Sequence, residues 1–202
     1  MTTHKMLLGL TLIAAFLAVG WTRVKDSTRY TFTAESTMRV EGTSSLHAWK
    51  ADVKALTGSM EITGGGLLAG GTLSRGNLTV AVSDLDCDNG TMNKKMLEAL
   101  KASAHKAITF DVVSARLAGT PSGNAFQLVT QGHLTLAGVK KPVEITLNGQ
   151  QLENGALRLK GSYALLMSDF NIKPPTAMMG ALKTGNEVTI HFDLVAVEAP
   201  AI

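Results

Sequence analysis

Apolar and polar residues alternate along most of the chain with a period of two, which is typical of half-buried β-strands. The clearest example lies within residues 132–147, where the apolar positions are Leu134, Leu136, Val143, Ile145 and Leu147. Gly138 separates the two runs and can adopt the positive φ angle that a tight reversal requires. The pattern predicts a β-hairpin, with Pro142 at the first position of the second strand, where a missing N–H group does least harm.

The same alternation recurs in enough segments to predict eight or nine strands. Its apolar positions include Tyr30 and Phe32, Met38 and Val40, Leu78, Val80 and Val82, Ile108, Phe110 and Val112, Phe126 and Leu128, Leu157, Leu159, Tyr163 and Leu165, and Val188, Ile190, Phe192 and Leu194. Glycine-rich reversals occur at residues 64–66, 70–71 and 154–155. Such a series indicates an antiparallel barrel or sandwich, and a closed eight-stranded barrel has room for one small ligand.

One segment departs from this alternation. Over residues 91–102 the apolar positions recur at helical spacing, and lysines and other polar residues occupy the opposite face. This predicts an amphipathic helix that contains Met92 and Met96, with Thr91 as its N-cap. A second, short helical turn is predicted after the two prolines at residues 174–175.

The N-terminus has the pattern of a signal peptide. His4 and Lys5 precede an apolar run at residues 6–19, and Ala18 and Gly20 supply the small residues of a cleavage site. The alternative is an uncleaved membrane anchor, but the run has about 14 residues where a bilayer span needs roughly 20. We therefore expect residues 1–20 to be a cleaved signal peptide and residues 21–202 to form one domain. The mature protein would be periplasmic or otherwise exported.

Charge and cysteine content narrow the classes of function. The formal net charge is only +3 and forms no basic stripe, so nucleic-acid binding is not expected. Lys94, Lys95, Lys101 and Lys106 cluster around the predicted helix, either as a solvated helix face or as a docking patch for anionic lipid. The single cysteine, Cys87, excludes an intrachain disulfide, and its acidic neighbours disfavour the thiolate that a nucleophile requires.

The sequence contains no complete catalytic or metal-binding motif. Asp84, Asp86 and Asp88 have the spacing of the first three ligands of a calcium loop, but the glycine falls one place late and Lys95 occupies the twelfth position. The histidines lack the spacing of zinc ligands, and no G-x-S-x-G element of a hydrolase occurs. We therefore expect no catalytic residue, metal or cofactor.

Several motifs resemble those of the YceI-like polyisoprenoid-binding family, in order, over residues 30–198. The hairpin at residues 132–147 resembles the family's G-x-L-T-[IL]-x-G-x-x-K-x-V stretch, and residues 40–49 resemble its G-T-S-x-x-H-x-[WF] hairpin. Residues 105–110 resemble its x-P-x-I-x-F strand. Residues 168–170 resemble its R-x-D-F-G element, and residues 185–190 resemble its closing G-D-E-V-x-I strand. The sequence departs from the pattern at Ala107, Met167 and Asn171, where Pro, Arg and Gly are usual.

The resemblance implies an all-β fold, an elongated antiparallel eight-stranded lipocalin-like barrel with one amphipathic helix and a short helical turn. Its apolar pore would bind a polyisoprenoid or quinone-like lipid, for transport or storage and without transforming it. Two alternatives are an envelope-associated enzyme acting on such a lipid, through polar groups near His47, His133 or Asp169, and a filled structural barrel. A transient contact with a membrane surface and a homodimer are left open.

Strand alternation and the helical segments together nominate the residues of the pore. These are Val80, Val82, Met96, Phe110, Val112, Leu134, Leu136, Leu165, Phe170, Met178, Phe192 and Leu194.

Overall fold

Every strand predicted from the alternation is present in the computed structural model, which describes residues 27–200. The strands are β1 (Ser27–Phe32), β2 (Thr37–Ser44), β3 (Trp49–Val53), β4 (Thr57–Thr63), β5 (Thr72–Ala81), β6 (Leu85–Asp86), β7 (Ala107–Leu117), β8 (Ala125–Leu136), β9 (Val139–Gln151), β10 (Leu157–Leu166), β11 (Thr176–Ala177) and β12 (Leu182–Glu198). The predicted signal peptide, residues 1–20, lies outside the described residues.

These strands form a closed barrel of eight antiparallel strands. β1 and β2 both pair with β12, at its C-terminal and N-terminal halves respectively, so together they act as one interrupted strand. β4 pairs with β1 and β3 pairs with β2, so β4 and β3 form a second interrupted strand. β5 pairs with β4 and β6 pairs with β3, which gives a third. β7, β8, β9 and β10 then follow in order, and the β1–β12 pairing closes the barrel. The predicted eight-stranded barrel is confirmed.

The hairpin of β8 and β9 has the tight turn that the sequence predicts. Ala137 and Gly138 have φ angles of 50° and 82°, the positive values of a turn that matches the twist of the strands. Pro142 is the fourth residue of β9, so the prediction that it begins the strand is wrong. It lies opposite His133 in a pair that is not joined by hydrogen bonds. The backbone nitrogen of Pro142 therefore points away from β8. On that side β9 pairs with β10 only at residues 148–151, so the missing N–H is tolerated.

The predicted amphipathic helix is α1 (Gly90–Ala99), and none of its residues is fully buried. Its N-cap is Asn89, whose side-chain oxygen accepts hydrogen bonds from the backbone N–H groups of Thr91 (3.1 Å) and Met92 (3.0 Å). The prediction of Thr91 as the N-cap is therefore wrong, and asparagine is the stronger capping residue. The predicted turn after the prolines is the short 3-10 segment Met178–Gly180. No helix within residues 27–200 is long and apolar enough to cross a membrane.

Two groups of buried side chains support the wall at opposite ends of the barrel. One includes Ile62, Leu128 and Leu159, between β4, β8 and β10. The other includes Leu134 and Phe170, which lies on the 3-10 turn Met167–Phe170 after β10. Members of both groups line the candidate site.

Candidate functional site

Two adjoining cavities lie inside the barrel. The outer cavity, of about 270 Å³, lies beneath α1, and the inner cavity, of about 130 Å³, lies deeper between the strands. The residues that line both cavities are Val40, Leu85, Ile108, Leu134 and Ile190. Because the cavities share these residues, they lie next to each other, and we call the pair the channel.

Alternate residues of β12 form one wall of this channel. Val188 and Ile190 line the outer cavity, while Ile190, Phe192 and Leu194 line the inner one. The six steps from Val188 to Leu194 correspond to about 20 Å of strand at about 3.4 Å per residue. The channel is therefore long relative to a small ring-shaped ligand.

The inner cavity has few polar groups. Its polar lining residues are Asn77, Thr130 and Tyr163. The Thr130 hydroxyl donates a hydrogen bond to the carbonyl of Ile145 at 2.9 Å, so it is satisfied within the wall. Burial, with a smaller contribution from the charge of Asp169, raises the pKa of the Tyr163 phenol, which therefore stays neutral. Such a lining suits an apolar ligand.

Helix α1 covers the outer cavity with one face. The residues of this face that line the cavity are Met92, Lys95, Met96 and Ala99, and Leu100 directly after the helix lines it as well. The Lys95 ammonium donates a hydrogen bond to the backbone carbonyl of Thr176 at 2.7 Å, which joins the helix to the segment before β12. Because no residue of α1 is fully buried, the helix covers the space below it without filling it.

The acidic loop before α1 anchors the helix. Asp86 accepts hydrogen bonds from the Asn93 side chain (2.8 Å) and the Asp88 backbone N–H (2.9 Å), and it pairs with the Lys54 ammonium (2.8 Å). These contacts lower the pKa of Asp86 to about 2, and the contact with Lys54 makes the largest contribution. The loop resembles a calcium site in sequence, but its central carboxylate, Asp86, binds groups of the protein itself. No group of three or more His, Cys, Asp or Glu residues suited to a metal ion occurs within residues 27–200.

Cys87 lies in the wall of the outer cavity, with its Sγ 3.9 Å from the Met96 Sδ. Burial, assisted by the charge of Asp86, raises the pKa of its thiol, so the reactive thiolate is disfavoured. Of the three polar groups considered for an enzyme, His47 lines the outer cavity, whereas His133 and Asp169 line neither cavity. The three groups do not share one site.

Most residues nominated from the sequence do lie on the channel wall. Val80, Phe110, Val112, Phe192 and Leu194 line the inner cavity, Met96, Leu136 and Leu165 line the outer cavity, and Leu134 lines both. Their contact with a ligand stays a prediction.

Three nominated residues do not line the channel. Val82 is buried in a 3-10 turn (Val82–Asp84) that interrupts the alternation of β5. Phe170 is buried in the wall, 2% exposed, on the turn Met167–Phe170. Met178 is 74% exposed, lies outside both linings and occupies a left-handed reversal of the chain. Strand periodicity does not apply to any of these turns.

Sequence reasoning also missed part of the outer wall. Trp49, Met167 and Ile172 line the outer cavity although none was nominated. The indole Nε1 of Trp49 donates to the Thr43 carbonyl at 3.1 Å, which fixes the ring beside the β2–β3 turn. Trp49 could have been found from its place in the resembling hairpin motif, whereas Met167 and Ile172 lie at a turn that carries no periodic signal.

The comparisons with known proteins agree with this architecture. The model of the YceI-like domain family matches residues 21–196. BcnA of Burkholderia cenocepacia has a TM-score of 0.64 at 20% identity, with 81% of this chain and 98% of that chain covered. A polyisoprenoid binding domain from Saccharophagus degradans has a TM-score of 0.66 at 16% identity, covering 85% and 98%. The YceI protein of Campylobacter jejuni has a TM-score of 0.57 at 14% identity, with 75% of this chain and 85% of that chain covered. No curated protein matches the chain.

At these identities the solved structures show a shared fold alone. The family model, in contrast, matches most of the chain and includes every strand of the barrel apart from the last residues of β12. The resemblance seen in the sequence motifs is thereby confirmed, and the chain belongs to the YceI-like domain family.

Proposed function

We propose that this protein binds one polyisoprenoid or similarly long apolar lipid in its barrel, and that it transports or stores this lipid without transforming it. The observation that carries the proposal is the pair of adjoining cavities, which share the apolar lining residues Val40, Leu85, Ile108, Leu134 and Ile190. Two adjoining cavities with mostly apolar walls fit a flexible chain better than a compact ligand.

The comparisons support the same ligand class. One of the similar structures is described as a polyisoprenoid binding domain, from Saccharophagus degradans. A quinone with a prenyl tail has the same chemistry along most of its length, so it falls within the proposal.

The expected affinity requires no charged partner for the tail. At roughly 0.3 kcal/mol per heavy atom, a tail of about 30 carbons would contribute about 9 kcal/mol, which corresponds to a dissociation constant near micromolar. The apolar wall therefore suffices for binding, and a polar group at the open end would add orientation.

Direct detection of the ligand is the main test. Protein purified gently from its own cells is extracted with organic solvent, and the extract is analysed by mass spectrometry. A prenyl-type lipid near one per chain is expected. If neither a co-purified lipid nor uptake of an added quinone is found, the barrel is a filled structural one, and conversion of an added lipid would identify an enzyme.

Two adjacent residues of β7 provide a matched pair of variants. Val112 lines the inner cavity, whereas Val113 is 61% exposed on the outside of the barrel. Val112→Trp should fill the inner cavity and abolish uptake of a long prenyl lipid, while Val113→Trp should leave uptake unchanged. Equal uptake by both variants would contradict binding in the channel.

Export is part of the proposal and has its own test. The apolar run at residues 6–19 and the small residues before Trp21 support cleavage after Gly20. N-terminal sequencing of the mature protein should begin at Trp21 or within a few residues of it. Recovery of an intact Met1 in the membrane fraction would show an anchor instead.

A further inference from the structure

Three segments with exposed residues contribute to the wall of the outer cavity, and together we call them the rim: residues 44–48, 92–96 and 173–184. Each segment contributes side chains to the cavity wall, including Leu46, Met92 and Lys183. The first and third segments are joined by two hydrogen bonds. The Ser45 N–H donates to the Lys183 carbonyl (2.9 Å), and the Lys183 N–H donates to the Ser45 hydroxyl (3.1 Å).

The rim exposes large apolar side chains. Within residues 27–200, the three most exposed large hydrophobic residues are Met179 (110%), Met178 (74%) and Leu46 (67%), and all three lie on the rim. Exposed apolar residues concentrated at one place mark an interaction surface more reliably than scattered ones.

The backbone of the rim keeps the two methionines outward. β11 and β12 pair at Thr176 with Lys183 and at residue 177 with Leu182, and the chain reverses between them. Met178 and Met179 have φ angles of 50° and 53° at this reversal, a left-handed conformation that is unfavourable for residues other than glycine. The fold therefore accepts local strain at the point where it exposes these side chains.

The charges of the rim are all of one sign. Its three segments contain Lys94, Lys95, Lys173 and Lys183, and they contain no aspartate or glutamate. None of the four lysines forms an ion pair with another residue of the 27–200 range. Lysines that form no ion pair, placed around exposed apolar side chains, complement a surface that is anionic outside and apolar inside.

We infer that the rim docks on an anionic lipid bilayer. In this arrangement Leu46, Met178 and Met179 enter the headgroup region, and Lys173 and Lys183 face the lipid phosphates. The open end of the channel then faces the bilayer, so a lipid passes between the membrane and the barrel without crossing water. The inference rests on the proposed lipid-binding function for its purpose, but its observations concern the outer surface alone.

Vesicle binding tests the inference. The full chain is mixed with vesicles of phosphatidylcholine alone or of phosphatidylcholine with phosphatidylglycerol, and bound protein is measured by flotation. Met178→Ser combined with Met179→Ser should weaken binding to the anionic vesicles about tenfold. Lys173→Gln and Lys183→Gln should each weaken it about fivefold. Every variant carries the same N-terminal segment, so differences between variants report the rim.

Matched controls lie elsewhere on the barrel. Val113→Ser removes an exposed apolar side chain of β7, and Arg116→Gln removes an exposed cation near the C-terminal end of the same strand. Both controls should bind vesicles as the unchanged protein does. Equal losses in the controls and the rim variants, or equal binding by all proteins, would overturn the inference.

A fluorescence measurement establishes the orientation. All variants share the emission of Trp21 and Trp49, so each is compared with the unchanged protein. Leu46→Trp should add a blue-shifted emission that brominated lipid quenches on anionic vesicles, whereas the emission added by Val113→Trp should show neither effect. If the rim instead binds a second copy of the chain, sedimentation without vesicles will show a dimer that the methionine substitutions dissociate, and the inference fails.

The two proposals can fail separately. Uptake of a soluble short-chain prenol, measured without vesicles, tests the channel alone. It should be unchanged in the Met178→Ser, Met179→Ser double variant and in Lys173→Gln, whose residues line neither cavity. Loss of vesicle binding with normal uptake supports the inference, whereas vesicle binding without any uptake would refute the proposed function and leave the docking surface standing.

Discussion

The ring of Phe192 packs against Gly161, its direct cross-strand neighbour in β10. A β-carbon at Gly161 would lie 2.8 Å from the Cε2 and Cζ atoms of that ring, closer than any side chain tolerates. Two further pairs repeat the arrangement, Phe126 with Gly149 and Trp49 with Gly42. The glycines thus accommodate aromatic rings against the wall, which keeps space open in the interior.

Gly161→Ala should therefore destabilise the protein and narrow the channel. The new methyl group would press on Phe192 and would also lie 2.9 Å from the Thr146 carbonyl oxygen, which cannot move freely. Overpacking of this kind costs about 1–3 kcal/mol of the free energy of unfolding. Urea denaturation measures this loss, and uptake of a prenyl lipid should weaken in parallel.

Gly90→Ala is the control for this substitution. Gly90 begins α1, a β-carbon there meets no atom within 4 Å, and its φ angle is not positive. Stability should stay the same or rise slightly, because alanine favours the helix. Equal destabilisation by both substitutions would show that the ring contact at Gly161 is unimportant.

Alternation predicted the barrel wall because each strand follows one period for many residues. In β12 the inward series from Val188 to Leu194 is uninterrupted, so the sequence identifies its lining side chains. In β7 the register shifts between Val112 and Ser114, and the alternation must be read separately on each side of the shift. The wall was predictable wherever a strand has no such interruption.

The remaining features depend on tertiary contacts that a local pattern does not encode. Met178 was nominated as a lining residue because it lies in an apolar segment predicted to be helical, but it occupies a left-handed turn and is exposed. The acidic loop suggested a calcium site, whereas Asp86 forms an ion pair with Lys54 and accepts a hydrogen bond from the Asn93 side chain, both from other parts of the chain. The division of the interior into two cavities likewise arises only when the strands come together.

Leu136→Asp tests the register of β8. Leu136 is 7% exposed and lines the outer cavity, so a carboxylate there would lose its hydration without gaining a partner. The substitution should cost at least about 3 kcal/mol of stability. Thr135→Asp changes the neighbouring residue, which points to the other face, and should have a much smaller effect. Equal melting temperatures of the two variants would contradict the register.

Ile190→Trp tests whether the two cavities act as one channel. Ile190 lines both, so a larger side chain should separate them. A long prenyl lipid that loses about five carbons of contact, at about 0.3 kcal/mol each, should bind about tenfold more weakly. A short prenol that fits one cavity should lose less affinity than the long lipid. Fluorescence titration with both ligands measures the difference, and Thr189→Trp on the outward side of β12 is the control.

Acid stability should depend on Asp193. The Arg158 guanidinium donates to its two oxygens at 2.7 and 2.6 Å and Lys160 lies 3.0 Å away, which lowers the pKa of Asp193 to about 2. The pKa in an unfolded chain is about 3.9, so the unfolded chain binds the proton more readily. The stabilisation is therefore complete above about pH 4 and is lost as the pH falls towards 2.

Asp193→Asn should lower stability at neutral pH and reduce the loss of stability between about pH 4 and pH 2. Urea denaturation across this range measures both effects. Asp86 titrates in the same window, so part of the pH dependence should persist. Asp111→Asn, at an exposed position of β7, is the control and should follow the unchanged protein. An unaltered pH profile for Asp193→Asn would show that the ion pair does not contribute.

The contact between Lys95 and Thr176 should control the rate at which lipid enters and leaves the channel. It is a hydrogen bond of 2.7 Å between α1 and the segment before β12, and both residues line the outer cavity. Lys95→Met keeps the apolar stem and removes the bond, so α1 should open more often while the wall below it is unchanged. The association and dissociation rates of a soluble prenol, measured by stopped-flow fluorescence, should both rise, with little change in their ratio. Lys94→Met, at the adjacent exposed position, should change neither rate. A change in affinity without a change in the association rate would place Lys95 in contact with the ligand instead of in the closure of the channel.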